Sequence, residues 1–218
     1  MRGRFDLLVF DWDGTIVDST AMIAQCIRLA AADLGLVVPS LEQASHVIGL
    51  GLADALSLAV PDLEAARAAE FSARYRFHYF ACEPDIVLFA GVRELLVELT
   101  QQGATLAVAT GKSRRGLARA FESTELGSLF AASRCADETH SKPHPAMLLE
   151  LADELDVAPH RTLMVGDTTH DLARACAAGA AAVGVTSGAH SREKLLEHES
   201  LALAGSVPEL RSWVIANT

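Results

Sequence analysis

The apolar positions of this chain fall into short continuous runs separated by helical stripes. The first run, Leu7-Leu8-Val9-Phe10, does not alternate with polar residues, which is the pattern of a strand covered on both faces. It stops abruptly on Asp11-Trp12-Asp13-Gly14-Thr15. A helical stripe of Ile23, Cys26, Ile27, Ala30 and Leu34 follows, with Ser19 as its N-cap and Gly35 as its stop. Ser40 and Gln43 form a capping-box pattern for a second helix, and Gly49-Leu50-Gly51 breaks it. A third helix runs to about Ala59, and Pro61-Asp62 opens a long fourth one to about Phe80, ended by Pro84. Residues from about 16 to 86 thus read as helices with no convincing strand.

From Gly91 the pattern changes. Buried strands are expected at 104–109, 131–134, 162–165 and 181–185. Helices are expected at 92–102 and 114–122, from Pro143-His144-Pro145 to about Leu155, and at 172–178, before a closing helix-strand-helix passage. Strands alternating with helices imply right-handed crossovers and a mainly parallel sheet. The expected fold is α/β: a Rossmann-like doubly wound core of residues 1–15 and 87–218, with residues 16–86 inserted as a helical cap after the first strand.

Three of these strands end on polar residues. The first ends at Asp11 and Asp13, the second at Thr110-Gly111-Lys112-Ser113, a later one at Gly166-Asp167-Thr168-Thr169-His170-Asp171. In an open parallel sheet such strand ends line the ligand crevice. Asp-x-Asp-Gly alone is also an ordinary strand followed by a turn. Four carboxylates at one crevice, however, repel one another and ask for a cation, and hard divalent metals such as Mg2+ prefer oxygen ligands. Thr110 and the amides after it, at a helix start, suit an anion. Lys142, in Ser141-Lys142-Pro143, is the candidate cationic side chain.

Half of the 218 residues are hydrophobic, enough for a sizeable core, and the formal net charge of −10 argues against a nucleic-acid binder. Cys26, Cys82, Cys135 and Cys176 are widely spaced, as expected of reduced thiols in a cytoplasmic protein. Arg2 and Arg4 precede an apolar run broken by Asp6 and Asp11, so no signal peptide is visible, and the Ala-rich stretch 176–185 is too short to span a membrane.

Asp11-x-Asp13-Gly14-Thr15, Thr110-Gly111, Lys142-Pro143 and Gly166-Asp167 followed by Asp171 stand in the order of the four motifs of the haloacid dehalogenase-like (HAD) hydrolases, and the chain resembles that family, most of all its phosphoglycolate phosphatase-like branch with a helical cap. The resemblance implies a Mg2+-dependent phosphatase of a small phosphorylated metabolite. Asp11 would attack phosphorus, Asp13 would act as general acid and base, and Thr110, Gly111 and Lys142 would hold the phosphoryl group. Asp11, Asp13 (through its carbonyl), Asp167 and Asp171 would hold the metal. The loop around His46 and Gly49 would reach the leaving group. Arg67, Arg74 and Arg76 read as a solvated helix face. A dehalogenase shares Asp11 but has no use for Asp13. A phosphomutase keeps every motif, and a phosphoryl-accepting module shares the acidic pocket but not a cap of this size.

Overall fold

The computed structural model describes residues 4–218. Residues 1–3 of the expected core, Arg2 among them, lie outside the described residues. Six parallel strands form the main sheet: β1 (Leu7–Phe10), β4 (Thr105–Thr110), β5 (Ala132–Cys135), β6 (Thr162–Gly166), β7 (Ala181–Val185) and β8 (Ala202–Ala204), in the order β5-β4-β1-β6-β7-β8. β1 is central. Leu7 pairs with Thr105 on one side and Thr162 on the other, and the ladder runs in step to Phe10. The order reverses beside β1, which creates the crevice expected at its C-terminal end.

The continuous apolar runs are explained by helices on both faces. Leu8, Phe10, Leu106, Val108, Leu163 and Val165 point into one core cluster with α5 (Val92–Gln101) and α10 (Val207–Ile215). Their neighbours Leu7, Val9, Ala107, Ala109 and Met164 point into another with α7 (Ala146–Glu154) and α8 (Thr169–Ala178). Period-2 side-chain direction assigns alternate residues to the two faces, so neither face tolerates a polar position.

The helices α1 (Thr20–Asp33), α2 (Leu41–His46), α3 (Leu52–Ala59) and α4 (Ala68–Cys82) build a separate cluster from Ile23, Ile27, Ala30, Val47, Leu56 and Phe71. Ser40 and Gln43 do form the reciprocal capping box.

Two expectations need correction here. β2 (Val17–Asp18) pairs antiparallel with β3 (Val87–Leu88), so a short two-stranded ribbon joins the helical block to the core where only helix was expected. Two-residue strands carry no periodicity to read. The long fourth helix starts at Ala68 rather than at Pro61, because the chain from Pro61 makes a turn and a single 3-10 turn, Ala65–Arg67, first.

Candidate active site

The backbone ladder continues one residue past β1. Asp11 N donates to Val165 O at 2.9 Å, which pins the first carboxylate to the central strands. The chain then turns sharply, with Ile16 N donating to Trp12 O at 2.8 Å. Gly14 sits at φ +78°, and a Cβ there would lie 2.1 Å from Asp167 Oδ2. Glycine is required on both counts: backbone conformation and contact with the next carboxylate.

Asp11, Asp167 and Asp171 are buried, with carboxylate oxygens within 4.8 Å of one another. Lys142, itself buried, places Nζ 2.6 Å from Asp11 Oδ2 and 2.9 Å from Asp171 Oδ1. Asp171 is further held by Arg174 Nη2 at 2.9 Å and by Thr168, whose Oγ1 donates to Asp171 Oδ2 at 2.6 Å and whose backbone N donates at 3.3 Å. Thr168 and Asp171 are also the capping box of α8, so one helix start fixes this carboxylate. Asp167 accepts from Thr15 Oγ1 at 3.1 Å and from Ala189 N at 2.7 Å.

The protonation balance follows from this. Burial pushes the Asp11 carboxyl up to about 6, against the pull of Lys142. Burial, with Asp11 and Asp171 alongside, raises Asp167 well above the carboxylate range. Burial also opposes the charge on Asp171, but Lys142 and Arg174 outweigh it and bring that group down to about 2. One carboxylate of the three is fully compensated by protein cations; the other two are not.

A carboxylate offers about four acceptor sites. Those of Asp171 are all taken, whereas Asp167 has two to spare and Asp11 Oδ1 receives no hydrogen bond among the described residues. Asp11 and Asp167 thus offer hard oxygens with unused lone pairs within 4.8 Å of one another, which fit a divalent cation such as Mg2+.

Thr110 is buried at the end of β4, its Oγ1 accepting from Lys112 N at 3.2 Å, which leaves the hydroxyl proton available to a ligand. Gly111 lies so close to the helical block that a Cβ would stand 2.4 Å from Gly49 O and from Leu50 O. Gly49 in turn is a 3.3 Å neighbour of Lys142 Nζ by the same measure. The expected loop therefore does reach the site through Gly49. His46 does not follow it: its ring stacks on His190 at 4.9 Å, and its carbonyl lies 3.0 Å from His170 Nε2 and from His190 Nε2. A cavity of about 700 Å3 opens between the helical block and the sheet, and its wall on this segment begins at Val47.

Several groups at the site were not expected. Ser19, expected as a helix cap, makes no side-chain cap bond and donates instead to Asp13 Oδ1 at 2.7 Å. Lys112 Nζ lies 3.1 Å from Asp13 Oδ2 and donates to Tyr79 Oη at 2.8 Å. Lys112 stands inside the Thr110-Gly111-Lys112-Ser113 stretch, so its signal was local. Tyr79 has none, because only the packing of α4 brings it there. Arg76 is exposed, as expected of a solvated face, and that face borders the cavity together with Arg115 and Arg119.

The sequence matches the family model described as haloacid dehalogenase-like hydrolase over residues 8–185. The chain belongs to the haloacid dehalogenase-like hydrolases. It is 37% identical over 210 residues to "Probable phosphatase IndB" of Dickeya dadantii, covering 94% of this chain and 91% of that one. It is 33% identical over 202 residues to a phosphoglycolate phosphatase of Aliivibrio fischeri, covering 88% and 89%. The crystal structure of a predicted phosphoglycolate phosphatase from Haemophilus somnus matches with a TM-score of 0.86 and 27% identity, over 98% of this chain and all of the other. The HAD motifs of this chain are therefore set in the HAD fold, and no helix among the described residues is long and apolar enough to cross a membrane.

Proposed function

We propose that this HAD hydrolase is a Mg2+-dependent phosphomonoesterase acting on a small phosphorylated metabolite through an aspartyl phosphate. The observation that carries the reading is the buried ammonium of Lys142, 2.6 Å from Asp11 Oδ2 and anchored by Asp171. A carboxylate with free lone pairs beside a fixed cation is a nucleophile whose incoming phosphoryl charge is already met.

Asp11 attacks phosphorus and Lys142 offsets the charge that gathers there. Thr110 and the amides of Gly111 and Lys112 orient the phosphoryl oxygens. Asp13 protonates the leaving oxygen and then takes a proton from the water that cleaves the intermediate. Asp11, Asp167 and the Asp13 carbonyl would hold Mg2+, which supplies Lewis-acid charge compensation at the phosphoryl group. Asp171, its acceptor sites filled, serves as the anchor of Lys142. Residues 16–86 act as a cap that excludes water, hinged at the β2–β3 ribbon. The names of the relatives, and the cationic Arg76 on the cavity wall, support an acidic ester such as phosphoglycolate, with sugar phosphates as the next class.

Phosphate release from a panel of small phosphomonoesters, with Mg2+ and with EDTA, tests the reading. Metal-dependent multiple turnover, abolished in a folded Asp11→Asn variant, is expected. Turnover retained by Asp11→Asn would sink it. A phosphoryl group trapped on the protein without turnover would point instead to a mutase or a phosphoryl-accepting module.

A further inference from the structure

Asp13 has two successive tasks on the proposed route, so the direction of its carboxylate matters more than that of any other group at the leaving side. Both of its oxygens have a donor: Ser19 Oγ at 2.7 Å on Oδ1 and Lys112 Nζ at 3.1 Å on Oδ2. The two donors differ in kind. Ser19 is short and sits at the start of α1, directly after the ribbon. Lys112 ends a four-carbon flexible stem and needs a second contact to stay in one place.

That contact comes from the helical block. Tyr79, on α4, accepts from Lys112 Nζ at 2.8 Å, and all three residues line the cavity between block and sheet. Burial disfavours the Lys112 charge, but Asp13 and Tyr79 outweigh it and keep the ammonium form. Tyr79 is the partner that the core does not supply: were α4 to move away, Lys112 would keep only Asp13.

We propose that Lys112 and Tyr79 are positioning residues that couple the seating of the helical block to the orientation of Asp13, so that the leaving group is protonated efficiently only when α4 lies against the core. This rests on the phosphatase reading. In the step concerned, an Asp11 oxygen forms a bond to phosphorus, the ester P–O bond breaks, and the ester oxygen takes the Asp13 proton. A leaving group stable as an anion needs no such proton.

The test compares single-turnover release of the leaving group from phosphoglycolate, a poor leaving group, and from 4-nitrophenyl phosphate, a good one. General acids contribute about 10²–10⁴-fold. Lys112→Met is therefore expected to slow the phosphoglycolate step roughly 10-fold or more beyond its effect on the nitrophenyl ester. Tyr79→Phe shifts the same ratio in the same direction by less. Equal losses on both esters in both variants would overturn the relay, because a merely structural defect does not sort leaving groups. Crystal structures of the two variants give a readout free of turnover. Asp13 is expected to leave its present place beside Ser19, and an unmoved Asp13 in both overturns the relay. Should wild type turn over neither ester, the phosphatase reading fails while these structures still decide the coupling.

Discussion

Arg174 Nη2 and Lys142 Nζ meet on the same oxygen of Asp171, each 2.9 Å from Oδ1. Arg174 is fully buried and its Nη2 also donates to Ala109 O at 2.8 Å, one residue before Thr110. The guanidinium thus ties the anchor of Lys142 to the end of β4. Removing one partner of a buried charge group costs about 3–5 kcal/mol, and the remaining Lys142 keeps Asp171 from being orphaned. Arg174→Met is expected at the lower end, about 3 kcal/mol, in urea unfolding. Arg174→Lys should recover part of it, since the single nitrogen Nη2 serves both acceptors and an ammonium also carries enough donors for two. Unchanged stability in Arg174→Met would contradict the tie.

Mg2+ should stabilise the fold, and more at neutral than at acid pH. The Asp11 carboxyl is raised from 3.8 to about 6, so the folded protein binds more protons than the unfolded chain between those values. Without metal, this group makes stability fall as pH rises from about 4 past 6. A cation bound at about 100 times its Kd adds about 2.7 kcal/mol. The melting temperature should therefore rise with Mg2+ at pH 7.5 and by clearly less at pH 5, where protons compete. Metal-free Asp11→Asn should melt above metal-free wild type at pH 7.5 and gain little from Mg2+. An equal Mg2+ shift in that variant would place the ion elsewhere.

Much of the core site was legible in the sequence because Asp11, Thr110 and Asp167 each stand where a buried apolar run stops. The helix stripes likewise gave α1 and the capping box at Ser40. What the sequence concealed depends on contacts across the chain. Ser19 looks like a cap and is drawn off by Asp13; Tyr79 reaches Lys112 over 33 positions; Arg174 looks like an ordinary helix arginine. Period and spacing report local structure, and these partnerships exist only once helices α1, α4 and α8 are packed. His46 carries a misleading signal, its place in the segment that runs up to Gly49. The loop does approach the site, but the side chain turns to the neighbouring histidines.

Gly111→Ala should disable the enzyme by forcing the helical block and the Gly111 backbone apart. The added Cβ would stand 2.4 Å from the carbonyls of Gly49 and Leu50, and those backbone atoms have no flexible end to yield. The block must back away from the crevice. Misplacement of about 1 Å near a reaction centre costs about 10²-fold, and a loss of that size in kcat/KM is expected. Gly116→Ala, inside α6 (Arg114–Thr124) with a nearest neighbour at 3.4 Å, is the control. It should be active and more stable by about 0.5–1 kcal/mol. Full activity in Gly111→Ala would show that the block need not sit where it does.

His170 and His190 both approach the carbonyl of His46 with Nε2 at 3.0 Å. His190 Nδ1 accepts from Thr169 N at 3.0 Å, which fixes its tautomer: Nε2 carries the proton and donates, while Nδ1 must stay bare. Burial takes this imidazole down from 6.5 to about 4. Its unfolded form therefore binds more protons between those values, and its contribution to stability is complete above about 6.5 and lost as pH falls towards 4. The ceiling on that contribution is about 3 kcal/mol. Asp11 acts in the opposite direction over part of the same window, so the quantity to measure is a difference. Wild-type and His190→Leu proteins are unfolded in urea at pH 7.5, 6, 5 and 4.5, and their stabilities subtracted. The gap in favour of wild type should be widest at pH 7.5 and close steadily on acidification. Parallel pH profiles would mean that the ring bears no pH-dependent load in holding the His46 loop to the core.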